Sequence, residues 1–431
     1  MSFDLAKLFV IVVGSLIVGA VAFMAAKGWA QRLMLLGLLG GLFFYSGIGG
    51  ADESVSWTYS VYYFGVFFGV VFGFSFGRVF FMSTGRTLGA RLPYVLGTMN
   101  SAAWQWVVVL YVLVSLLPLV LPEFRLHMLF LPPSPDLKAL FAERFSTATP
   151  NLLEKLVGYA QLLLSPFFYL ALYHLRFRLK WVILIFAFLL YAGYVDKAYA
   201  GRGDVMMHVG MIVLALWVMR PWLRKRIMGV ILLSLPLLFY GFYIYGRIRI
   251  GGGVEGVGIT DGVFSILETE WGFPRMVGMS IIESEARVNL GAYFVWIVTL
   301  PIPKIITGGI EGARINYEIS EIVLGSTRGT TGWYVVLPGL VSEAVYIYGK
   351  YFFWVHGLLI GFMAAFFARL TERVPQTSFL FFYLVLMFSY ALNRGGISAL
   401  LPLIMNQFLL FYLFLFYILI RRKKQIATHI L

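Results

Sequence analysis

The chain has no cysteine and few charged residues. The absence of Cys excludes disulfides, thiolate metal sites and cysteine nucleophiles. Only 13% of the 431 residues are charged, whereas a soluble domain has about 25%. Hydrophobic residues make up 60%, and the mean hydropathy is +0.86. This composition excludes a water-soluble globular enzyme and a disordered protein, and it predicts an all-α polytopic membrane protein.

Long apolar runs predict eleven membrane spans, since a spanning helix needs roughly 20 apolar residues. A further run at 289–300 is short and ends in two prolines, which break helices. We expect this run to be re-entrant or to lie along the outer face, where protein or a water-filled cavity must cover it. The eleven spans lie at about 5–26, 33–50, 58–82, 98–121, 156–175, 181–196, 205–219, 227–245, 351–368, 376–392 and 398–420.

The positive charge follows the predicted topology. The formal net charge is +14, and Lys and Arg in short connections mark the cytoplasmic side of a membrane protein. With eleven spans all basic clusters fall on one side, which predicts an outer N-terminus, a cytoplasmic C-terminus and no nucleic-acid partner. The clusters are Lys27/Arg32, Arg78/Arg86/Arg91, Arg176/Arg178/Lys180, Arg220/Arg224/Lys225/Arg226, Arg369/Arg373 and Arg421/Arg422/Lys423/Lys424.

Two long connections, 122–155 and 246–350, fall on the expected outer side. Structureless loops beyond about 15 residues are uncommon unless they are functional, so function is expected on this side. The first loop should carry an interfacial helix that begins at Ser134-Pro135. The second has helical spacing over 311–325 and carries several acids, Glu268, Glu270, Glu283 and Glu285. The short cytoplasmic connections hold no Gly-rich phosphate loop, so neither a nucleotide site nor another cofactor is expected.

Two arginines lie in short outer connections among apolar residues. They are Arg202, in Gly-Arg-Gly-Asp, and Arg394, in Asn-Arg-Gly-Gly. Arginine near the apolar part of a membrane is costly, so such residues are candidates for function. The alternatives are a snorkelling side chain or, for Arg202, a pair with Asp204. Guanidinium groups bind phosphate through two parallel hydrogen bonds, which predicts an anionic head group as the ligand.

The sequence has no transition-metal signature. His208 and His356 lie within spans, where a lone histidine is more often a packing residue. No His-x-x-x-His or Glu-x-x-His cluster occurs. An acidic Mg²⁺ or Ca²⁺ site in loop 246–350 stays open. Arg314 and Glu318 are spaced i,i+4, which favours a structural ion pair.

The C-terminal third contains the apolar run 290–304, which ends in Pro-Ile-Pro-Lys, then Leu340–Lys350 and a span with Gly357 and Gly361. With these segments the chain resembles the bacterial Wzy-type oligosaccharide repeat-unit polymerases. That family typically has an apolar run ending in Ile-Pro, followed by a Gly-Glu-x-Tyr-x-x-x-Gly-like element that enters a span. This sequence has Ser342 where Gly is usual and Tyr348 before the final Gly. The resemblance also includes an Arg-Gly element after an earlier span and an arginine near the penultimate connection. The matching segments are 290–304, Leu340–Lys350, a span with Gly357 and Gly361, Arg202-Gly203 and Arg394.

The resemblance implies a membrane glycosyltransferase with a GT-C-like fold at the outer face of the inner membrane. Such polymerases transfer a growing glycan from undecaprenyl diphosphate to an incoming lipid-linked repeat unit. The implied partners are the lipid-linked oligosaccharide, membrane lipid and a chain-length regulator protein. The alternatives are an O-antigen ligase that uses a lipid A-core acceptor, a flippase for lipid-linked oligosaccharide, or a structural member of an export complex.

A glycosyl transfer of this kind needs cations for the diphosphate and a base for the acceptor hydroxyl. Glu343 is the expected base, and Asp204 and Glu321 are the reserves. The alternative for Glu343 is a helix N-terminal charge that complements the helix dipole. We expect the diphosphate to be bound by Arg202 and Arg394, with contributions from Arg287, Arg314 and Arg328. Candidates for sugar stacking are Trp271, Tyr317, Trp333 and Tyr346, any of which could instead be a membrane-interface residue.

Overall fold

The computed structural model describes residues 3–84, 96, 100–120, 152–175, 202–249, 258–302, 315–328, 330, 333–415 and 417. Across these ranges the chain is helical and has no β-strand, which confirms the all-α prediction. Six of the described helices are long and apolar enough to cross a membrane, and a bent pair near the C-terminal end would make seven. The protein is therefore an all-α membrane protein, and the count of eleven spans stays a prediction.

The described helices are numbered here in chain order. The helices α2 and α13 continue through π-helical turns as far as Gly50 and Gly395, and α14 continues in the same way to Gln407. The bounds are α1 Leu5–Ala25, α2 Trp29–Leu42, α3 Trp57–Thr84, α4 Ser101–Val120, α5 Leu152–His174, α6 Arg202–Met219, α7 Arg224–Arg249, α8 Ile259–Ser284, α9 Leu290–Thr299, α10 Ile315–Leu324, α11 Gly339–Phe352, α12 Trp354–Arg373, α13 Ser378–Leu386 and α14 Ile397–Pro402.

The segment predicted as a long outer loop, 246–350, is thus largely helical where it is described. The run at 289–300 forms the short helix α9, which Asn289 caps by accepting a hydrogen bond from the Ala292 N–H at 3.2 Å. A cap of this kind satisfies one of the free N–H groups of the first turn. The helix has ten residues, too few to cross a membrane alone. Its re-entrant or interfacial position stays a prediction.

The chain divides into two compact units. Unit 1 comprises 1–96, 269–375 and 384–431, and unit 2 comprises 97–268 and 376–383. In unit 2, α4 and α5 pack through stacked rings. Tyr111 lies 4.5 Å from Phe168, and Trp104 lies 4.6 Å from His174, between ring centroids. Offset contacts of this kind add to the energy of apolar burial.

In unit 1, α3 and α12 pack with their backbones in contact. A Cβ atom built on Gly73 would lie 2.0 Å from the Leu358 carbonyl oxygen, and one on Gly361 would lie 2.1 Å from the Val70 carbonyl oxygen. Small residues that recur every four positions allow membrane helices to approach in this way. The glycines of this contact are Gly65, Gly69, Gly73 and Gly77 of α3 and Gly357 and Gly361 of α12.

One end of unit 1 collects basic side chains and is called the Arg32 end below. Arg78 Nη1 donates a hydrogen bond to the Ala25 carbonyl oxygen at the end of α1. Arg373 Nη2 donates to the Phe81 carbonyl oxygen at 2.6 Å. Described members of three of the six basic clusters, Arg32, Arg78 and Arg373, therefore lie at one end of the unit, because these contacts join the ends of α1, α3 and α12. The membrane side that this end faces stays a prediction.

The opposite end of unit 1 is called the Arg394 end, and it contains a buried lysine. The Lys7 side chain is 1% exposed, and its Nζ donates to the carbonyl oxygens of Asp52 at 2.9 Å and Val55 at 2.7 Å. A charge removed from water needs such partners. Lys7 therefore fixes the start of α1 to the turn that joins α2 and α3.

Candidate functional site

The candidate site is built around Asn393-Arg394-Gly395-Gly396, called the Arg394 turn, in which the last helical turn that extends α13 ends at Gly395 and Gly396 leads into α14. Asn393 is fully buried, and its Nδ2 donates to the carbonyl oxygens of Leu38 at 3.2 Å and Phe388 at 2.7 Å. The turn closes at Gly396, whose φ of +71° lies in the region that favours glycine. The backbone on both sides of Arg394 is therefore fixed in position.

Arg394 forms an ion pair in this turn. Its Nε lies 2.7 Å from Glu270 Oε2, and its Nη1 donates to the Tyr390 hydroxyl at 2.8 Å. The side chains of Arg394 and Glu270 are 18% and 13% exposed. The guanidinium also lies 5.6 Å from the centre of the Tyr390 ring. Removing either charge would leave the other in surroundings of low polarity, which is strongly unfavourable.

Aromatic rings surround the ion pair. The Tyr45 ring lies 6.2 Å from Tyr390, and the Trp271 ring, next to Glu270 in sequence, lies 5.8 Å from Phe44 and 6.0 Å from Phe3. Phe44 and Tyr45 belong to the π-helical turn at Phe43–Gly47, a distortion that is frequent at functional sites. The buried Trp271 Nε1 has no hydrogen-bond partner among the described residues. The site thus has one unused buried donor beside the ion pair.

Glu343 of α11 lies on the other side of the same turn. Its carboxylate is fully buried and accepts hydrogen bonds from the Ile397 N–H, the Ser398 N–H at 3.1 Å and the Ser398 hydroxyl. Its Oε2 is 3.3 Å from Nε2 of His356, and a Cβ atom on Gly396 would lie only 2.2 Å away from it. The predictions that Glu343 lies at the outer entrance of a span and acts as a base are not tested by these contacts and stay predictions.

His356 packs in the interior beside Glu343. Its side chain is 1% exposed, and its ring lies 5.6 Å from that of Tyr348. Burial raises the pKa of the Tyr348 phenol, and the Glu343 carboxylate raises this pKa further. Tyr348 therefore keeps its proton at neutral pH and does not act as a base.

A second group of predicted residues gathers around α10. The Tyr317 and Trp333 rings meet edge to face with centroids 5.6 Å apart, and the Arg328 guanidinium lies 4.8 Å from the Tyr317 centroid. Glu321 Oε1 accepts a hydrogen bond from the Arg328 backbone N–H at 3.0 Å. The structure thus brings four of the predicted residues together. No described contact links them to Arg394, and their roles in binding sugar and diphosphate stay predictions.

Tyr346 and Arg287 lie at the backbone contact between α11 and the segment before α9. Tyr346 is 4% exposed, and its hydroxyl donates to Glu318 Oε2 at 2.8 Å, which leaves no open ring face for a sugar. Burial raises the pKa of Tyr346, as does its bond to Glu318. The Arg287 side chain is exposed and donates to the Ala286 carbonyl oxygen at 2.8 Å.

Several predictions fall outside the described residues. Arg314 and almost all of loop 122–155 are among them, so the proposed Arg314–Glu318 pair is not described. The helix α6 begins at Arg202, but the side chains of Arg202, Asp204 and His208 are not described. The predicted roles of these residues stay predictions.

Sequence reasoning missed the partner of Arg394. Glu270 is one of several acids in the segment 246–350, and nothing in the local sequence distinguishes it from Glu268. The signal that exists is indirect, because an arginine close to a membrane interior needs a counter-charge. Trp271 was recognised only as one of several aromatic residues.

Two apolar grooves in unit 1 lie away from this chemistry. One, with a volume of about 350 Å³, is lined by α1, α2 and α3, including Ser15, Gly40 and Phe67. The other, of about 560 Å³, lies between α3 and the start of α12. Neither is lined by Arg394, Glu270 or Glu343. Their walls are those expected of surfaces in contact with lipid chains.

The comparisons with known proteins add no assignment. No protein-family model, curated protein or solved structure matches the chain. Within the described ranges, no group of three or more His, Asp or Glu side chains could hold a metal ion. The chemistry of the site is therefore argued from Arg394, Glu270 and their neighbours.

Proposed function

We propose that the protein is a polymerase that transfers a growing glycan from undecaprenyl diphosphate to an incoming lipid-linked repeat unit, at the outer face of the bacterial inner membrane. The observation that carries the proposal is the partly buried ion pair of Arg394 and Glu270 at the Arg394 end of unit 1. It places a cation and a carboxylate side by side. The resemblance of the C-terminal third to this class of polymerase supports the same function.

Arg394 binds the diphosphate of the lipid carrier in this proposal. Its Nε contacts Glu270 and its Nη1 contacts Tyr390, whereas Nη2 has no hydrogen-bond partner among the described residues. A guanidinium in an environment of low polarity interacts strongly with phosphate oxygens. It also stabilises the charge that develops on the leaving oxygen, which is typically the largest contribution to catalysis.

Glu270 accepts the proton of the acceptor hydroxyl. Binding of the diphosphate to Arg394 weakens the ion pair, and this releases the Glu270 carboxylate for the acceptor. The acceptor oxygen then bonds to the anomeric carbon while the bond from that carbon to the diphosphate oxygen breaks. The electron pair leaves with the diphosphate, and the hydroxyl proton moves to Glu270. The step balances without a nucleotide or a metal ion.

The test is transfer by the purified protein in a lipid bilayer, with lipid-linked repeat unit as the sole substrate. We expect a ladder of polymer products on a gel from the wild-type protein and none from Glu270→Gln. The matched control is Glu372→Gln, which changes a carboxylate at the Arg32 end. A parallel reaction also contains lipid A-core, and glycan transferred to that acceptor without a polymer ladder would indicate a ligase instead. Movement of substrate across the bilayer without transfer would indicate a flippase, and either result would overturn the proposal.

A further inference from the structure

The Glu343 carboxylate has no part in the mechanism above, yet it is the most completely buried acid at the Arg394 end. It accepts three hydrogen bonds from two consecutive residues, Ile397 and Ser398, and lies close to His356. A general base must reach the proton that it removes. The donors that surround Glu343 and its complete burial leave no room for an acceptor hydroxyl.

The position of these hydrogen bonds along the chain gives Glu343 another role. Ile397 and Ser398 follow the Arg394 turn directly, and Asn393 holds the backbone directly before it. The Asn393 side chain therefore anchors the backbone before Arg394, and the Glu343 carboxylate anchors the backbone after it. The contact with Gly396 is part of the same anchor, because any larger residue there would meet the carboxylate.

We propose that Glu343 is a positioning residue, whose carboxylate holds the start of α14 and so aims the Arg394 guanidinium at Glu270 and at the diphosphate. This inference rests on the proposed function for the role of Arg394, but not for the anchoring itself. Hydrogen bonds to a charged acceptor are stronger than those between neutral groups. A glutamine has the same shape but presents an NH₂ group to one of the donors, so it cannot hold both residues.

The first experiment measures the anchor without any substrate. Hydrogen exchange of the backbone amides is followed by mass spectrometry in the full-length protein in a bilayer. We expect the Ile397 and Ser398 amides of Glu343→Gln to exchange at least about tenfold faster than in the wild type. The matched control is Glu285→Gln, which removes an exposed partner of Lys350 and should leave these amides unchanged. Equal exchange in Glu343→Gln and the wild type would overturn the proposal.

The second experiment asks whether Glu343 acts through Arg394. A displacement of a catalytic group by about 1 Å can cost on the order of 100-fold in rate. The assay uses a preformed lipid-linked oligosaccharide as the donor and the lipid-linked repeat unit as the acceptor. We expect Glu343→Gln to lower transfer by about 10- to 100-fold and to raise KM for the donor but not for the acceptor. In the background of Arg394→Ala, Glu343→Gln should cause almost no further loss, since residues that act as a unit are not additive.

The outcomes separate the two proposals. Fully additive losses, or a rise in acceptor KM alone, would show that Glu343 does not act through Arg394 and would overturn this inference. If the wild-type protein transfers no glycan, the proposed function fails, and the exchange experiment still decides whether Glu343 anchors the turn. If Glu343→Gln does not fold, Ser398→Ala removes one donor from the same carboxylate, and we expect it to accelerate exchange of the Ile397 amide.

Discussion

At each end of unit 1 a glutamate side chain lies against a glycine, but the residues around the two glutamates differ. At the Arg32 end, Glu372 lies against Gly28, where a Cβ atom would be 1.6 Å from its Oε1. At the Arg394 end, Glu343 lies against Gly396, where a Cβ atom would be 2.2 Å from its Oε2. The Glu372 side chain is 11% exposed, whereas the Glu343 side chain is 0% exposed.

The residues around the two glutamates explain why Glu372 is more exposed than Glu343. Glu372 pairs with Arg369 at 2.8 Å and accepts a hydrogen bond from Gln31, and the other arginines at this end donate to backbone carbonyls. Such charges agree with the predicted cytoplasmic position of this end, where Lys and Arg are enriched in membrane proteins, and that position stays a prediction. At the Arg394 end the partly buried charges of Arg394 and Glu270 lie beside the aromatic rings of Tyr390 and Tyr45. Arg369 and Glu372 are 27% and 11% exposed, and Arg394 and Glu270 are 18% and 13% exposed. Burial of an ion pair therefore does not separate the two ends, whereas the aromatic rings around Arg394 and the fully buried Glu343 carboxylate do.

The largest expected effect is a difference in glycan transfer between variants of Arg394 and Arg32, one arginine from each end. Arg394→Ala should lower glycan transfer by on the order of 100-fold or more, because it removes a charged donor from the leaving group. Arg32→Ala removes a side chain that donates to the Ala26 carbonyl oxygen and should leave transfer nearly unchanged. The measurement is the rate of polymer formation at equal amounts of folded protein. Equal losses in both variants would abolish the distinction between the ends.

The second-largest expected effect is the loss of stability when the glycine at either end, Gly396 or Gly28, is replaced. Gly396→Ala places a side chain at a φ of +71° and against a buried carboxylate, so it should destabilise the protein by roughly 2 kcal/mol or more. Gly28 has a φ of −97°, which any residue adopts, and the flexible Glu372 side chain can move. Gly28→Ala should therefore have the smaller effect on the thermal unfolding midpoint in detergent. The reverse order would contradict the account of Gly396.

A single hydrogen bond at each end provides a third comparison. Ser398→Ala removes one of the donors to Glu343 and should cost about 1.5 kcal/mol of stability, since the acceptor is charged and buried. Gln31→Ala removes the Nε2 donor to Glu372 and should cost less, because water can reach that carboxylate. Chemical unfolding in the same detergent measures both. A greater loss for Gln31→Ala would show that the Arg32 end carries the more important network.

The smallest effect concerns the exposed ion pair between Glu285 and Lys350. The hydrogen bond from Lys350 and its charge lower the pKa of the Glu285 carboxyl from its ordinary value of 4.5. Because the folded pKa is lowered, this pair stabilises the protein above pH 4.5, and the contribution is lost as the pH falls through the lowered value. Compared with Glu285→Gln, the wild type should lose slightly more stability between neutral and acidic pH. If the stability of the wild type and of Glu285→Gln depended on pH in the same way, this would contradict the lowered pKa of Glu285.

Much of the fold follows from the sequence. Apolar runs predicted the helices α1, α2, α3, α5 and α12, because a continuous run of about 20 apolar residues satisfies its own backbone groups in a membrane by forming a helix. The count of eleven spans is not tested by the described residues. Hydropathy did not predict the contacts of Lys7. Its ammonium group donates hydrogen bonds to backbone carbonyls of a turn, 45 and 48 residues away in the chain, and its position within an apolar run gives no indication of these partners.

The site was predictable only in part. The short apolar connection around Arg394 marks this arginine as a candidate, and the structure places it in a partly buried ion pair. Glu270 could not be assigned, since its partner comes from a distant part of the chain and local sequence does not encode that contact. Glu343 was singled out for its position, but the donors that surround it are 54 and 55 residues away. Their identity depends on packing that only the fold specifies.

The central claim is that the Arg394 guanidinium binds the diphosphate of a polyprenyl carrier. The most direct measurement is the binding of geranylgeranyl diphosphate to the purified protein in a bilayer, compared between the wild type, Arg394→Ala and Arg32→Ala. We predict that Kd rises by about tenfold or more in Arg394→Ala, as expected for one charged contact, and stays unchanged in Arg32→Ala. An unchanged Kd in Arg394→Ala would contradict the account.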